Sequence, residues 1–477
     1  MSPSPSYTEV DVAILGGGTA GMAAYRAAAA HTDRILLIEG GAFGTTCARV
    51  GCMPSKLLIA AAEAAHTAEH AGRFGIQTTV AVDGRRVMER VRRERDRFVG
   101  FVLDSINSFP DVHRRRGYAT FLDDHTLQVG EETIRARAIV IATGSRPKIL
   151  PMYRSITPWL PEEQPDAAAR RAAGVLVSDD IFDWEDLPAS LAVFGPGVIG
   201  LELGQALFRL GVRVRVFGVG GFLGPLADPE VRADAIAAFS AELPIQTDAR
   251  QLRVSRDHRG VVVRWIEDGA EQEEHFELML AATGRTPNVD RLGLHHTSLT
   301  LDARGVPLYD RRTLQCGTSA IFLAGDANAD VPLLHEAADE GKIAGDNAGS
   351  WPNVRRGARR SPMAVMFTDP QIAVIGAPRT ALADPIVGRV SFVDQGRSRV
   401  MLQNSGRLHV YADRLTGRLL GAEMVGPRAE HLAHLLAWAH QSGMTIPEML
   451  AMPFYHPVVE EGLRTALRDA AAQLGAG

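Results

Sequence analysis

Two of the three cysteines in this 477-residue sequence, Cys47 and Cys52, stand close together in the segment TTCARVGCMPSK. Such a pair could bind a metal, pack in a core or act as a redox pair. Zinc sites usually draw about four ligands from two such pairs, and neither a second pair nor a His-x-x-His motif is nearby. We therefore expect no metal site here.

The geometry of the pair is unusual for two packed core residues. Five steps along an ideal helix would advance about 7.5 Å, whereas the Cα atoms of a disulfide lie within roughly 6.8 Å. For a disulfide the segment must be a loop or distorted turn, which Gly51 permits. A helix-forming run, PSKLLIAAAEAA, follows at once. Sulfurs at a helix N-terminus are favoured as thiolates, so the pattern favours a redox-active pair.

Lysine is rare in this chain, and one lysine follows the cysteine pair. Lys56, Lys148 and Lys342 are the three lysines among 51 basic residues. Lys56 stands four residues after Cys52 and shares its face once the helix is under way. Because arginine does most of the cationic work, a lysine here indicates a task that a guanidinium does not suit.

The elements around the cysteines form a repeated pattern. Residues 10–39 read as strand, glycine turn, helix and strand, with Gly16, Gly18 and Gly21 in the frame G-x-G-x-x-G and Glu39 ending the second strand. The first glycine makes the turn, the second admits a pyrophosphate, and the third allows close helix packing, while the acid binds a ribose. This unit predicts a bound dinucleotide.

A second copy places Gly195, Gly197 and Gly200 in the same frame, and both copies are followed by an ATG stretch. Two copies predict two dinucleotides between which electrons pass. The position of Glu39 is taken by Gly218 in the second copy. Since an acid there favours NAD over NADP, the coenzyme stays open. Arg213 and Arg215 alternate with valines and are expected to face solvent.

Composition limits the classes of function. The length suggests about three domains, and a net charge of -5 gives no indication of nucleic acid as a partner. Residues 1–10 lack a signal-peptide pattern, and no apolar run approaches the roughly 20 residues of a membrane span. With so few cysteines we expect a reducing, cytoplasmic setting and no membrane partner.

By these landmarks the sequence resembles the flavin-dependent pyridine nucleotide–disulfide oxidoreductases, most closely the dihydrolipoamide dehydrogenases. Further matches are IFLAGDAN, LLHEAADEG and FYHPVVEEGLRTAL. The resemblance implies an α/β fold with two Rossmann-like domains and a carboxy-terminal α+β dimerisation domain. The expected boundaries are 1–150 and 278–355 for FAD, 151–277 for NAD(P), and 356–477 for the interface of a homodimer.

The resemblance also implies roles for individual residues. Cys47 exchanges with substrate thiols, Cys52 lies against the flavin, and Lys56 reaches the flavin and pairs with Glu202. His456, oriented by Glu461, removes protons from the dithiol and acts across the dimer interface. The other residues expected to contact a cofactor, besides the glycines and Glu39, are Thr46, Ala119, Thr143, Gly144, Gly284, Asp326 and His335.

The resemblance predicts an enzyme that oxidises dihydrolipoamide, or a lipoyl domain or similar small dithiol, with NAD as acceptor. Departures from the family pattern leave substrate and coenzyme less specified than fold: Thr45 replaces a usual glycine, Val458 a threonine and Glu460 a serine. The alternatives are a glutathione-type or other NAD(P)H-dependent reductase, a soluble transhydrogenase, and a non-catalytic flavoprotein redox sensor. With no cysteine after Cys316, mercuric-type and large thioredoxin-type reductases are disfavoured.

Overall fold

A computed structural model describes residues 7–156 and 166–475 of the chain. Most of the opening segment considered above, residues 1–6, lies outside the described residues. Contacts divide the chain into two units, one formed by residues 1–54, 92–148 and 285–359, the other by residues 55–91, 149–284 and 360–477. In the part of the chain that is described, no helix is both long and apolar enough to cross a membrane.

The elements up to residue 156 include the first dinucleotide-type repeat and the cysteine segment. The helices are α1 (Thr19–Ala28), α2 (Thr46–Val50), α3 (Cys52–Glu69) and α4 (Gly84–Asn107). The strands are β1 (Tyr7–Leu15), β2 (Ile35–Glu39), β3 (Arg114–Arg116), β4 (Ala119–Phe121), β5 (Thr126–Val129), β6 (Glu132–Ile141) and β7 (Ser145–Pro147).

The elements of residues 166–284 contain the second repeat. The helices are α5 (Ala167–Ala173), α6 (Val198–Arg209) and α7 (Pro229–Ser240). The strands are β8 (Val175–Val177), β9 (Ser190–Phe194), β10 (Arg213–Phe217), β11 (Ile245–Gln246), β12 (Arg250–Asp257), β13 (Gly260–Glu267), β14 (Ala270–Phe276) and β15 (Leu278–Ala281).

The remaining elements return to the first unit and then build the carboxy-terminal sheet. The strands are β16 (Arg285–Pro287), β17 (Ile321–Leu323), β18 (Met363–Met366), β19 (Gln371–Gly376), β20 (Ile386–Ser391), β21 (Arg407–Ala412) and β22 (Leu419–Gly426). The helices are α8 (Leu334–Gly349), α9 (Gly396–Met401), α10 (Ala429–Gln441), α11 (Ile446–Leu450) and α12 (Glu460–Leu474).

The first unit is built on a seven-stranded sheet in the order β3-β2-β1-β6-β5-β4, with β17 also paired to β6. Strands β3, β2, β1, β6 and β17 are parallel, while β5 and β4 form an antiparallel extension. Both faces are covered: Val12 and Ile14 of β1 pack in one core, and Ala13 and Leu15 pack in another. Burial on both faces is why β1 ends in a continuous apolar run.

Helices α1 and α8 approach closely on one face of this sheet. A Cβ on Gly341 would lie 2.2 Å from Ala20 O, and one on Gly345 would lie 2.2 Å from Ala24 O. Cβ atoms do not approach carbonyl oxygens so closely, so only glycine fits at these two positions. The small residues of both helices therefore set the distance between α1 and α8.

The second unit contains a five-stranded parallel sheet in the order β11-β10-β9-β15-β8 and a three-stranded antiparallel sheet, β12-β13-β14. They share a core that includes Phe194, Phe217, Trp265 and Phe276. Strand β15 pairs with β9 and β8, so the boundary predicted at residue 278 falls just before a strand of this second sheet. The four-segment division stays a prediction.

The carboxy-terminal part of the second unit is a five-stranded antiparallel sheet, β18-β19-β22-β21-β20. Helices α10 and α12 pack on it through apolar residues such as Leu432, Leu436 and Leu463. Trp438 of α10 is 67% exposed. The mixed architecture confirms the predicted fold class, two Rossmann-like sheets and a carboxy-terminal α+β region.

Replacing a close-packed helix glycine should destabilise the protein, whereas the same change in open space should not. Gly345→Ala forces the backbone at Ala24 away from α8. Overpacking of this kind lowers the free energy of unfolding by about 1–3 kcal/mol. Gly100→Ala in α4 is the matched control, because a Cβ there meets nothing within 4 Å and alanine favours helix by roughly 0.5–1 kcal/mol. Thermal unfolding midpoints should therefore move in opposite directions. Equal midpoints for the two variants would contradict the described helix packing.

Candidate functional site

The glycine turn of the first repeat is held by contacts that exclude side chains. Gly16 has φ +110°, and a Cβ on it would lie 2.3 Å from Ala142 O. A Cβ on Gly21 would lie 1.8 Å from Gly16 O. The first and third glycines are thus required by the turn and by the approach of α1 to the strand.

The second repeat reproduces these contacts in the second unit. Gly195 has φ +109° and its Cβ would lie 2.4 Å from Ala282 O, while a Cβ on Gly200 would lie 1.9 Å from Gly195 O. The corresponding Cβ distances in the two copies agree to about a tenth of an ångström, so both turns have the same backbone conformation.

The middle glycine of each copy faces open space. A Cβ on Gly18 or Gly197 would meet nothing within 4 Å. Gly18 caps α1 and Gly197 caps α6, and neither cap has a side-chain hydrogen bond. Backbone N–H groups at a helix start attract a phosphate. The residues present therefore fit a dinucleotide whose pyrophosphate lies against the second glycine.

Glu39 is held at the end of β2 by two backbone amides. Its Oε2 accepts from Gly17 N at 2.7 Å and its Oε1 from Gly41 N at 2.6 Å. The carboxylate is thus fixed beside the first glycine turn, where the ribose of a dinucleotide bound on that turn would lie.

Polar groups of the first unit suited to a ligand lie along the predicted FAD contacts. Thr143 Oγ1 and His335 Nε2 are buried and have no hydrogen-bond partner, as expected of atoms that a ligand satisfies. Asp326 Oδ2 accepts from Ser145 Oγ at 2.7 Å, and Ser145 Oγ accepts from Arg285 Nε at 2.7 Å. This chain of bonds orients the Asp326 carboxylate, which is one of the predicted cofactor contacts.

The cysteine segment folds as the helix α2 and the start of the helix α3, joined at a glycine. Cys47 lies in α2, and Cys52 is the first residue of α3. Gly51 joins the two helices, and a Cβ on it would lie 3.2 Å from Cys47 Cα. Cys47 is half-buried and Cys52 is exposed. Gly51, with φ -137° and ψ -116°, interrupts the helical backbone between the two cysteines, as the distorted turn predicted from the spacing requires.

Thr45 shows why a glycine is usual at its position. It has φ 56° and ψ 150°, a conformation that side chains rarely adopt. Its Oγ1 accepts from Ala48 N at 3.2 Å and so caps α2. The exchange of glycine for threonine thus keeps the strained backbone of this turn and adds a cap to the helix that carries Cys47.

The third thiol is placed where it cannot take part in exchange. Cys316 is 1% exposed within the core of the first unit. Burial raises its pKa to about 12, so its thiolate is scarce at neutral pH. Cys316 is therefore a packed core residue.

Lys56 and Glu202 form an ion pair in the second unit. Lys56 Nζ lies 2.8 Å from Glu202 Oε2, and Glu202 is 4% exposed. The other carboxylate oxygen accepts from Phe367 N at 2.8 Å, and the Phe367 ring centroid lies 4.8 Å from the ammonium. Phe367 therefore contacts both members, through a hydrogen bond and through a cation–π interaction. Its position after β18 gave no signal in the sequence.

His456 and Glu461 form the predicted dyad. Nδ1 of His456 donates to Glu461 Oε2 at 3.0 Å, and Arg464 donates to Oε1 at 2.8 Å. Burial disfavours the ionised form of Glu461, but hydrogen bonds from Val458 N and His456 outweigh it and hold its pKa below the ordinary value. The carboxylate fixes the ring so that Nε2 is left to accept a proton.

The remaining predicted residues fall on less informative positions. Thr46 is the exposed first residue of α2, and Ala119 is buried on β4. Gly144 and Gly284, with φ +69° and +99°, face open space. The roles of all these residues stay predictions.

Comparison with known proteins gives one consistent family. The family model described as pyridine nucleotide-disulphide oxidoreductase matches residues 10–341. The model for the dimerisation domain of the same family matches residues 362–467. Together these matches span most of the described chain.

Similar proteins cover the chain almost from end to end. A dihydrolipoyl dehydrogenase of Haloferax volcanii is 30% identical over 98% of this chain and 97% of its own length. One of Bacillus subtilis is 28% identical, covering 96% and 97%. LpdA from Mycobacterium tuberculosis has a TM-score of 0.79 at 25% identity, covering 97% and 99%. The HOCl-induced flavoprotein disulfide reductase RclA from Escherichia coli, as its Cu(II) complex, has a TM-score of 0.78 at 22% identity, covering 97% and 99%, and shows the shared fold.

Removing Lys56 should cost more stability than removing another lysine, because it leaves the Glu202 carboxylate buried without its cation. Breaking a buried pair costs about 3–5 kcal/mol, but Lys56 is 33% exposed and water screens part of this, so we expect about 1–3 kcal/mol for Lys56→Met. Lys342→Met, at an exposed position of α8, is the matched control. Thermal unfolding is the measurement.

The double variant Lys56→Met/Glu202→Gln separates charge from packing. Once the carboxylate is neutral, its burial no longer demands a cation, so the double variant should recover part of the loss. If the double variant is no more stable than Lys56→Met alone, the ion pair does not stabilise this region.

Proposed function

Since this chain belongs to the pyridine nucleotide-disulphide oxidoreductases, enzymes that use FAD and NAD(P)H, we propose that it oxidises dihydrolipoamide or a lipoyl domain. NAD is the proposed acceptor, and the Cys47–Cys52 pair is the proposed redox-active disulfide. The relatives named dihydrolipoyl dehydrogenase, which match nearly the whole chain at about 30% identity, support this substrate.

The observation that carries the proposal is the hydrogen bond between His456 and Glu461. A dithiol must lose protons before it attacks a disulfide, and a histidine oriented by a carboxylate is suited to accept them. A protein that only binds two dinucleotides needs no such base. The dyad therefore favours catalysis on thiols over a redox sensor.

The proposed exchange transfers one electron pair from the substrate dithiol to the cysteine pair in two steps. His456 takes a proton from one substrate thiol, and the resulting thiolate attacks Cys47 Sγ, breaking the Cys47–Cys52 bond and leaving Cys52 as a thiolate. After His456 has released its first proton to solvent, it takes the proton of the second substrate thiol, and the resulting thiolate attacks the substrate sulfur of this mixed disulfide. The substrate leaves as a disulfide, Cys47 leaves as a thiolate, and the pair has gained two electrons. Bound FAD supplies the two-electron carrier between these sulfurs and the nicotinamide.

Lys56 has an electrostatic role in this proposal. Beside the flavin its ammonium stabilises the negative charge that arrives with an electron pair. Glu202 and Phe367 hold the ammonium in place, since Glu202 is fixed at one oxygen by Phe367 N and at the other by Lys56. A flexible lysine without this support would lose side-chain entropy on binding.

The proposed active form is a homodimer. The family model for a dimerisation domain covers the carboxy-terminal sheet, and His456, with a side chain 81% exposed, lies in this region. On the family pattern His456 of one subunit serves the cysteine pair of the other. A dissociated subunit would therefore lack its base.

The test of the proposed function is turnover of the FAD-loaded enzyme. Dihydrolipoamide and NAD should yield NADH, and Cys47→Ser should abolish this reaction because no disulfide can form. Cys316→Ser is the matched control, since Cys316 is buried away from exchange, and it should keep the activity. Turnover that survives in Cys47→Ser would contradict the assigned role. Faster turnover of glutathione disulfide with NADPH would favour the glutathione-type alternative.

Removing the carboxylate behind the base should slow the reaction without unfolding the protein. In Glu461→Gln the ring keeps a hydrogen-bond acceptor but loses the negative charge that stabilises it after proton uptake. General base catalysis is worth about 100-fold or more, so we expect a loss of about that size in kcat with dihydrolipoamide.

Glu460→Gln is the control for this variant. Glu460 and Glu461 are neighbouring acids, and Glu461 is the one that is hydrogen-bonded to the His456 ring. It should change kcat by less than a few-fold. Equal losses in the two variants, measured by steady-state kinetics at saturating NAD, would show that general surface charge and not the dyad is responsible.

A further inference from the structure

The two repeats differ at the position that binds the adenosine ribose. Glu39 and Gly218 stand at the same distance after the third glycine of their copies, and Gly17 corresponds to Pro196. In the first copy the Glu39 carboxylate binds Gly17 N and Gly41 N. In the second copy, the carboxylate and one of its two amide partners are both missing.

The replacement of Glu39 by Gly218 and that of Gly17 by Pro196 are sterically linked. A Cβ on Gly218 would lie 2.5 Å from Pro196 Cγ and 3.0 Å from Thr247 O. Pro196 fills the space into which a side chain at position 218 would point, so an acid at this strand end does not fit. Any carboxylate at the second ribose position has to come from another segment.

Asp248 supplies a carboxylate at the matching amide. Its Oδ1 accepts from Gly220 N at 2.9 Å, and Gly220 is the counterpart of Gly41, because each stands two residues after the aligned positions Gly218 and Glu39. The first copy uses Glu39 at this amide, and the second uses a residue that follows the neighbouring strand β11. The same position relative to the repeat is thus occupied by an acid from a different part of the chain.

Backbone hydrogen bonds fix Asp248 in this place. Gly218 N donates to Gln246 O at 2.7 Å, Ala249 N donates to Gly218 O at 2.8 Å, and Gly221 N donates to Thr247 O at 3.1 Å. The segment with Asp248 therefore runs alongside the end of β10 as a continuation of the sheet. The side chain is 49% exposed, which leaves Oδ2 accessible to a ligand.

Two of the three arginines near this position are already paired with an acid. Arg213 faces solvent as expected and Arg215 is half-buried; both pair with Glu274, and Arg215 Nε lies 2.7 Å from its Oε2. Arg250 Nε lies 3.7 Å from Asp248 Oδ2 with a side chain 77% exposed. A 2′-phosphate at this position would meet the negative charge of Asp248.

We propose that Asp248 is the ribose-binding acid of the second repeat and that it selects NAD over NADP. Its Oδ2, which does not bind Gly220 N, accepts from the ribose hydroxyls, and its charge repels a 2′-phosphate. This inference deepens the proposed function, because it names the coenzyme of that reaction, but it concerns a binding step that involves no dithiol.

The test measures binding of two fragments to the FAD-loaded protein by calorimetry, without any thiol substrate. ADP-ribose and its 2′-phosphate differ only at the group that Asp248 is proposed to sense. We expect the wild-type protein to bind ADP-ribose at least about tenfold more tightly. Asp248→Asn keeps the shape but removes the charge, and should lower this ratio to about threefold or less. Asp268→Asn, in the turn between β13 and β14, is the matched control and should keep the wild-type ratio.

Each other outcome overturns the proposal. If Asp248→Asn keeps a preference near tenfold, Asp248 does not discriminate. If the wild-type protein prefers the 2′-phosphate and Arg250→Ala abolishes that preference, Arg250 and not Asp248 determines the coenzyme. Flavin absorbance and the thermal midpoint of Asp248→Asn check that the site is folded. Since neither fragment reacts, a failure here leaves dithiol turnover as a separate question.

Discussion

The contact on which this structure depends most is backbone against backbone at two glycine turns. In each repeat the third glycine lies so close to the carbonyl of the first that a Cβ would come within 1.8 Å in one copy and 1.9 Å in the other. This approach fixes where α1 and α6 begin. Because a Cβ on the middle glycine of each turn would meet nothing within 4 Å, the helix N-termini are accessible to a phosphate. We infer that this steric limit determines where both dinucleotides bind.

Two side chains of the proposed function, Glu202 and His456, are held by specific hydrogen-bonding partners. Glu202 is fixed by Lys56 and by the Phe367 amide, and His456 is fixed by Glu461. These hydrogen-bonding partners reduce the number of conformations that the side chain can adopt before reaction, which is the physical basis of preorganisation. The inert Cys316 shows the opposite case, since burial without a charged neighbour raises its pKa and suppresses its chemistry.

The fold class and the family were predictable because their signals are local: glycine spacing, strand periodicity and the short ATG, AGD and His-Pro motifs each lie within a few residues. The positive φ of Thr45 agrees with the glycine expected there. Apart from the Lys56–Glu202 pair, which the resemblance implied, contacts between residues far apart in sequence gave no such signal. The pairing of Arg213 and Arg215 with Glu274, the position of Phe367 under Lys56 and the approach of Asp248 to Gly220 arise from sheet pairing and loop packing. A sequence read one segment at a time does not reveal them.

We propose that Cys47 and Cys52 store an electron pair of their own beside the flavin. Anaerobic reductive titration of the FAD-loaded enzyme measures this directly, by counting the electron pairs taken up per chain. We expect two pairs for the wild-type protein, one for the flavin and one for the disulfide, and a single pair for Cys47→Ser. Uptake of one pair by the wild-type protein would contradict it.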